Sequence, residues 1–199
     1  KEVRQQMTAI QKEVDSGTYQ APDRTTVMEW LDTWMTTFCA AKVKPLTYSS
    51  YEAAIKKHIK PCMGALRLQK LRGFHVQELY NRMISAGLSA KTVKNVAAIL
   101  HKALSIAMKQ GLISVNPCDA AELPKVTQKE IKPLTDQEIP LFLEAIEESP
   151  MRNAYALCLF AGLREGECLG LSWDQVDFEA RRITVSQQLQ KEKKAGGKY

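Results

Sequence analysis

Arg164 stands two residues after Gly162, at the end of an apolar run, and Glu167 follows three residues later. A guanidinium grips two oxygens of an anion at once and never loses its charge. The glycine marks where the backbone must turn, which fixes the base of the side chain. In a basic protein the matching anion is a phosphate. Preorganised charge of this kind stabilises phosphoryl transfer as negative charge spreads over the equatorial oxygens. Glu167 lies within reach of the same helical face and would hold the guanidinium in place. Taken alone, the pair reads sooner as an ordinary surface ion pair. The longer run from Gly162 through Leu163, Leu169, Gly170, Leu171, Trp173 and Val176 to Asp177 sets it apart. Leu163, Leu169, Leu171 and Trp173 read as core positions within it.

A second group of residues could also meet phosphate. Between Lys42 and Lys109 there are 13 basic residues and 2 acidic ones, a local charge of +11 in a chain of +6, which leaves −5 for the rest. Such asymmetry is the electrostatic footprint of a nucleic-acid binder. Lys91, Thr92, Lys94 and Asn95 open a long helix, where free N–H groups attract phosphate. Asn95 or Thr92 would reach base edges while the lysines hold the backbone. Lys44, Thr47, Ser50 and Tyr51 open an earlier helix and could do the same, with Lys57 further along it. His101 and Lys102 extend the basic face of the long helix, whose other face is apolar. The alternative is a solvated lysine surface.

The elements that must position these groups follow from periodicity and punctuation. Val3, Met7, Ile10 and Val14 make one helical stripe. A helix capped by Thr25 or Thr26 carries Val27, Trp30, Leu31, Trp34, Met35 and Phe38. Its aromatic residues read as core, not as a base-stacking platform. Thr47 is expected to cap the next helix, which Pro61 and Gly64 should break. Helices from about Gly73 to Ala86 and Ala90 to Lys109 complete a bundle. The polar stretch 121–132 reads as a linker. Beyond it, Thr135 should cap a helix, since Thr135 and Glu138 have capping-box spacing. A buried helix over about Arg152–Gly162, a helix from Arg164 to Leu171, and a strand at 181–185 with Val176–Phe178 as its short partner should follow. Residues 195–199 look like a hairpin tip, and the start at Lys1 suggests a piece of a longer chain.

Composition excludes several classes. No apolar run approaches the roughly 20 residues of a membrane span, and the polar start is not a signal peptide. The five cysteines are scattered, never in C-x-x-C spacing, and read as reduced thiols, not a zinc site. The three histidines form no metal-ligand pair.

The run from Ala161 to Asp177 resembles the first-arginine box of the tyrosine recombinases, the phage-type integrases, and among them those of conjugative transposons. The order of the other signals fits: a tryptophan-bearing helix, then Thr47-Tyr48-Ser49-Ser50-Tyr51, Gly64 and Leu71, the helix opened by Leu88–Asn95, and an exit at Leu112–Pro117. The resemblance implies a mainly α fold. Residues 1–20 would be a linker helix after a missing arm-binding domain, and 25–120 a helical, SAM-like core-binding domain. Residues 121–132 would join it to 133–199, the N-terminal part of a mixed α/β catalytic domain.

The family implies site-specific recombination that integrates or excises a mobile element. A tyrosine cuts one strand and forms a 3′-phosphotyrosyl link, so neither metal nor nucleotide cofactor is needed. Arg164 matches the first catalytic arginine and Glu167 its support. No His-x-x-Arg occurs in the 199 residues, and Tyr199 sits after a glycine turn instead of on a late helix. The catalytic lysine could be Lys191, Lys193, Lys194, Lys198 or a later one. This chain alone is therefore expected to be inactive. The implied partners are duplex recombination sites, a Holliday junction and three further copies in a tetramer, in a bacterial cytoplasm and away from membranes. Two rivals stand beside this reading: a non-catalytic DNA-binding relative, and a helical module with an acidic protein partner.

Overall fold

The computed structural model describes Met7, residues 23–127, Glu130 and residues 132–190. Except for Met7, the helix expected over 1–20 lies outside the described residues, as do Lys191, Lys193, Lys194, Lys198 and the hairpin tip at 195–199. The chain divides into two compact units, Lys1–Gln128 and Lys129–Tyr199.

The first unit is helical. Helix α1, Val27–Thr33, is opened by a capping box: Glu29 N–H donates to Thr26 Oγ1, and Thr26 N–H donates to Glu29 Oε2. Two further N-terminal N–H groups of α1 find carbonyls in the loop 64–66, Val27 to Leu66 at 2.9 Å and Met28 to Gly64 at 3.0 Å. Both satisfy donors that no helix can satisfy internally. From Trp34 to Cys39 the helix widens to π geometry, closed by Ala40 N–H on Met35 C=O.

Helix α2 spans Pro45–Ala54, runs into a π stretch at Ile55–Ile59, and continues as α3, Lys60–Met63. Two expectations need correction here. Thr47 does not cap: Lys44 is the N-cap and Pro45 takes the first helical position, where its missing N–H costs nothing. Pro61 does not break the helix, because it sits in the first turn of α3, directly after the wide π turn in which Lys60 N–H bonds Ile55 C=O. The chain ends its helical run only at Gly64, whose absent Cβ would stand 2.6 Å from Lys60 O.

Helices α4, Gly73–Ser85, and α5, Ala90–Lys109, follow. Gly87 and Gly111 lie at φ 79° and 73° and let Leu88 and Leu112 donate back to Met83 and Ala107. Ser89 caps α5 by accepting Thr92 N–H. One stripe of α5 is buried from Val93 to Ala107 and meets Val27, Leu31, Trp34, Ile59, Val76 and Leu79 in the core. Trp30 is almost fully buried, and its indole N–H donates to Ala103 C=O at 3.0 Å.

The exit is tied down. Asn116, 4% exposed, donates to His101 C=O and Ser105 Oγ and accepts Cys118 N–H. A 3₁₀ turn covers Pro117–Ala120, and Gln77 and Glu122 exchange two hydrogen bonds, amide to backbone.

In the second unit Thr135 does not cap the helix as expected: Gln137 is the N-cap of α6, Glu138–Ala145, and Glu138 Oε2 accepts the N–H and hydroxyl of Thr135 in the turn before it. Helix α7 is Arg152–Ala161 and α8 is Glu165–Leu169. A 3₁₀ turn at Trp173–Gln175 leads into β1, Val176–Asp177, paired antiparallel with β2, Arg182–Ile183, through Val176↔Ile183 and Asp177↔Arg182. The burial expected here is not found. No residue of α7 is buried, Leu169 is 46% exposed, and Trp173 is 81% exposed, its ring stacked on Phe178. Ile146 is the buried hydrophobic of this unit among the described residues. The apolar pattern is present, but few described elements pack across it. Among the described residues no helix is long and apolar enough to cross a membrane.

Candidate phosphate-binding arginine and basic helical face

Helix α7 stops because Gly162 takes a left-handed conformation, φ 67° and ψ 22°, which a side chain would resist. Two residues later Arg164 is the N-cap of α8, in extended conformation at φ −72°, ψ 154°. Its carbonyl accepts Glu167 N–H at 3.0 Å and Cys168 N–H at 2.9 Å. Glu167 grips it from both sides of the residue. One carboxylate oxygen accepts the Arg164 backbone N–H at 2.9 Å, and the other accepts Nη1–H at 2.8 Å. The Arg164 side chain is 84% exposed and that of Glu167 18%. The guanidinium is thus aimed outward from a fixed base, with donors left over for an anion. The backbone N–H of Arg164, then the guanidinium, hold the Glu167 carboxyl below its usual range.

The glycines of this segment have a use that spacing alone does not reveal. A Cβ on Gly166 would lie 2.7 Å from Leu189 O, and one on Gly170 would lie 2.8 Å from Leu189 N. The chain after β2 crosses this face of α8 backbone to backbone. Leu189 N–H donates to Gly166 C=O, and the Gln187 side-chain amide donates to Gly170 C=O at 2.8 Å. Gln175 Nε2 and Ser186 Oγ bond across the same crossing. The helix that Arg164 caps is therefore clamped from its glycine side.

In the first unit, α2 and α5 meet at Tyr51. Its ring stacks on Trp34, with centroids 5.8 Å apart, and Lys102 Nζ lies 5.7 Å from its centroid. Tyr51 is half-buried, so its ring packs against the core instead of facing solvent. Lys44 and Ser50 are exposed and Thr47 half-buried at the start of α2. On α5, Lys91 and Asn95 are exposed and Lys94 half-buried, on the face opposite the buried stripe. Thr92 shares its hydroxyl with Ser89 at 2.9 Å. His101 is exposed but occupied: Nε2 bonds Asp119 at 2.9 Å, and Nδ1 faces Ser105 Oγ at 3.4 Å. It serves the exit segment first. Lys57 lines a separate groove of about 460 Å³ with His58, Arg82 and the apolar Leu79, Met83 and Leu88. Burial, then Lys57, pushes His58 below its ordinary range. Lys42 is the addition that spacing did not single out. Burial pushes the Cys39 thiol up, and Lys102 and Lys42 oppose that shift.

Residues 26–84 match the phage integrase N-terminal SAM-like domain, and 132–197 match the phage integrase family. An integrase of Saccharopolyspora erythraea is 29% identical over 194 residues, covering 96% of this chain and 44% of that protein. The ICEBs1 integrase of Bacillus subtilis is 28% identical over 149 residues, covering 74% and 40%. The Tn1549 transposon integrase, solved in complex with transposon right end DNA, superposes with a TM-score of 0.75 at 26% identity, covering 84% of this chain and 54% of that one. A lambda integrase tetramer bound to a Holliday junction shares the fold, with a TM-score of 0.70 at 24% identity, over 83% and 50%. The chain belongs to the phage integrase family of tyrosine recombinases. It spans less than half the length of these curated relatives.

Proposed function

We propose that this chain is the DNA-gripping and arginine-bearing portion of a site-specific recombinase that moves a mobile element by tyrosine-mediated strand cleavage. The observation that carries this is Arg164: an outward guanidinium on a backbone fixed by Gly162, Glu167 and the glycine face of α8. Arg164 would bind the scissile phosphate and stabilise the charge that develops on it, and Glu167 would keep its orientation. Residues 25–120 would hold the duplex through Lys44, Thr47, Ser50, Lys91, Lys94, Asn95 and Lys102, with Lys42 added. Residues 133–199 would begin the catalytic domain. The DNA-bound states of the relatives support a duplex partner, assembly as a tetramer and exchange through a Holliday junction. A DNA substrate of this kind and the bacterial sources of the relatives support a place in the bacterial cytoplasm.

The test uses the full-length protein on a nicked duplex site that traps the covalent protein–DNA adduct. Arg164→Ala should lower adduct formation by about 10²–10³, the usual effect of removing one preorganised transition-state donor. Duplex affinity should change by no more than a few-fold. An adduct yield that falls only as far as binding falls would leave Arg164 a binding residue, and the non-catalytic reading would stand.

A further inference from the structure

Cys158 and Cys168 belong to neither the basic face nor the arginine. Both are half-buried. They stand on the two helices that flank the Gly162 turn, Cys158 in α7 and Cys168 in α8. Cys168 Sγ lies 3.7 Å from Ala154 O. Ala154 is one turn before Cys158 in α7, and a helical side chain leans back over the turn that precedes it. The Cys158 thiol therefore leans toward the spot that the Cys168 sulfur occupies. The other cysteines are placed differently. Cys39 and Cys118 are buried in the first unit, and Cys62 lines the groove with Lys57 and Arg82.

We propose that Cys158 and Cys168 are a modification site, a dithiol that closes to an intramolecular disulfide by exchange with a low-molecular-weight disulfide. One thiol, as thiolate, attacks a sulfur of the small disulfide and expels its other half as a thiolate. The second protein thiol loses its proton and attacks the mixed disulfide, expelling the second small thiolate. Two protein thiols are oxidised, one small disulfide is reduced to two thiols, and the two protons end on those thiols. The new bond closes the loop 158–168, which contains Arg164, and ties α8 to α7 across the Gly162 turn.

The experiment takes the 199-residue chain, incubates it with oxidised glutathione, blocks remaining thiols with a maleimide and digests it with trypsin without reduction. Cleavage after Arg152, Arg164 and Arg181 puts Cys158 in peptide 153–164 and Cys168 in peptide 165–181. The expected result is a linked pair of these two peptides. The intact chain should lose the mass of two hydrogen atoms, and Cys158→Ser or Cys168→Ser should each abolish the link. A reductant should restore both thiols. Maleimide on both residues overturns the proposal. So does a stable glutathione adduct on either, or a link that runs through Cys62 or a second copy. The linked peptides come from the unsubstituted protein, so the result does not depend on how either variant folds.

Discussion

Gly166→Ala isolates the clamp on α8. In a helix interior alanine is favoured over glycine by at most about 1 kcal/mol, so local propensity predicts stabilisation. The structure predicts the reverse. The new Cβ would stand 2.7 Å from Leu189 O, against an ordinary contact of 3.4 Å or more, so the crossing segment must retreat by roughly 0.7 Å. That retreat weakens the Leu189 N–H to Gly166 C=O bond, worth about 0.5–1.5 kcal/mol. The overpacking itself costs about 1–3 kcal/mol. Set against the propensity gain, the net loss is about 1–3 kcal/mol in the second unit. Urea unfolding read by hydrogen exchange serves as the assay: the Leu189 amide should lose protection in the variant and the midpoint should fall. A variant stabilised by about 1 kcal/mol, with the Leu189 amide as protected as before, would refute the close approach and leave Gly166 an ordinary helical residue.

Duplex affinity of the chain should fall with salt along a log–log slope near −4.5, about −0.9 for each of Lys42, Lys44, Lys91, Lys94 and Lys102 on a phosphate; a flat response removes the basic face from the account. Asn116→Ala should cost the first unit about 2–4 kcal/mol in thermal or urea unfolding, since it strands the groups that meet both ends of the amide. Asn116→Asp keeps the acceptor for Cys118 N–H but sets a carboxylate against His101 C=O, so its deficit should shrink in acid; equal costs at all pH would count against the donor assignment. Stability itself should fall in acid. Backbone N–H bonds hold Glu29, Glu138 and Glu167 below 4.5, their ordinary value. A carboxyl whose folded pKa is depressed contributes fully above its unfolded pKa and loses that contribution as pH falls through the folded one. The urea midpoint should therefore drop below about pH 4.5, and Glu→Gln changes at these positions should flatten the drop.

Local signals were readable and distant ones were not. Thr26 with Glu29 and Ser89 with Thr92 act over three residues, so spacing exposes them, whereas the same spacing at Thr135 and Glu138 forms only half of a capping box and Gln137 is the N-cap. The left-handed turns at Gly87 and Gly111 are of the same kind. Thr47 misled because Pro45, two residues earlier, is the better helix opener. Pro61 misled because the π turn before it depends on how Ile55 and Ile59 seat in the core, which no local rule contains. Burial in the second unit was misjudged for a related reason: an apolar stripe says that a face wants a partner and not that one is present. At the candidate site the Arg164–Glu167 pairing is local, three residues apart. The junction of Tyr51 with Lys102, the engagement of His101 by Asp119, and the segment over Gly166 and Gly170 join residues 17 or more apart in sequence and emerge only on folding.

The wide turns at Trp34–Cys39 and Ile55–Ile59 also bear on which insertions and deletions the family can accept. A π turn holds one residue more than an α turn. Removing one residue there would return the helix to regular geometry with the flanking faces still pointing where they did, Leu31 and Trp34 inward on one, Ile59 and Met63 inward on the other. The same deletion in the middle of α5 would rotate half of its buried stripe by about 100° and carry Leu100, Leu104 or their neighbours into water. Length variation among related chains should accordingly gather at these two turns and avoid α5.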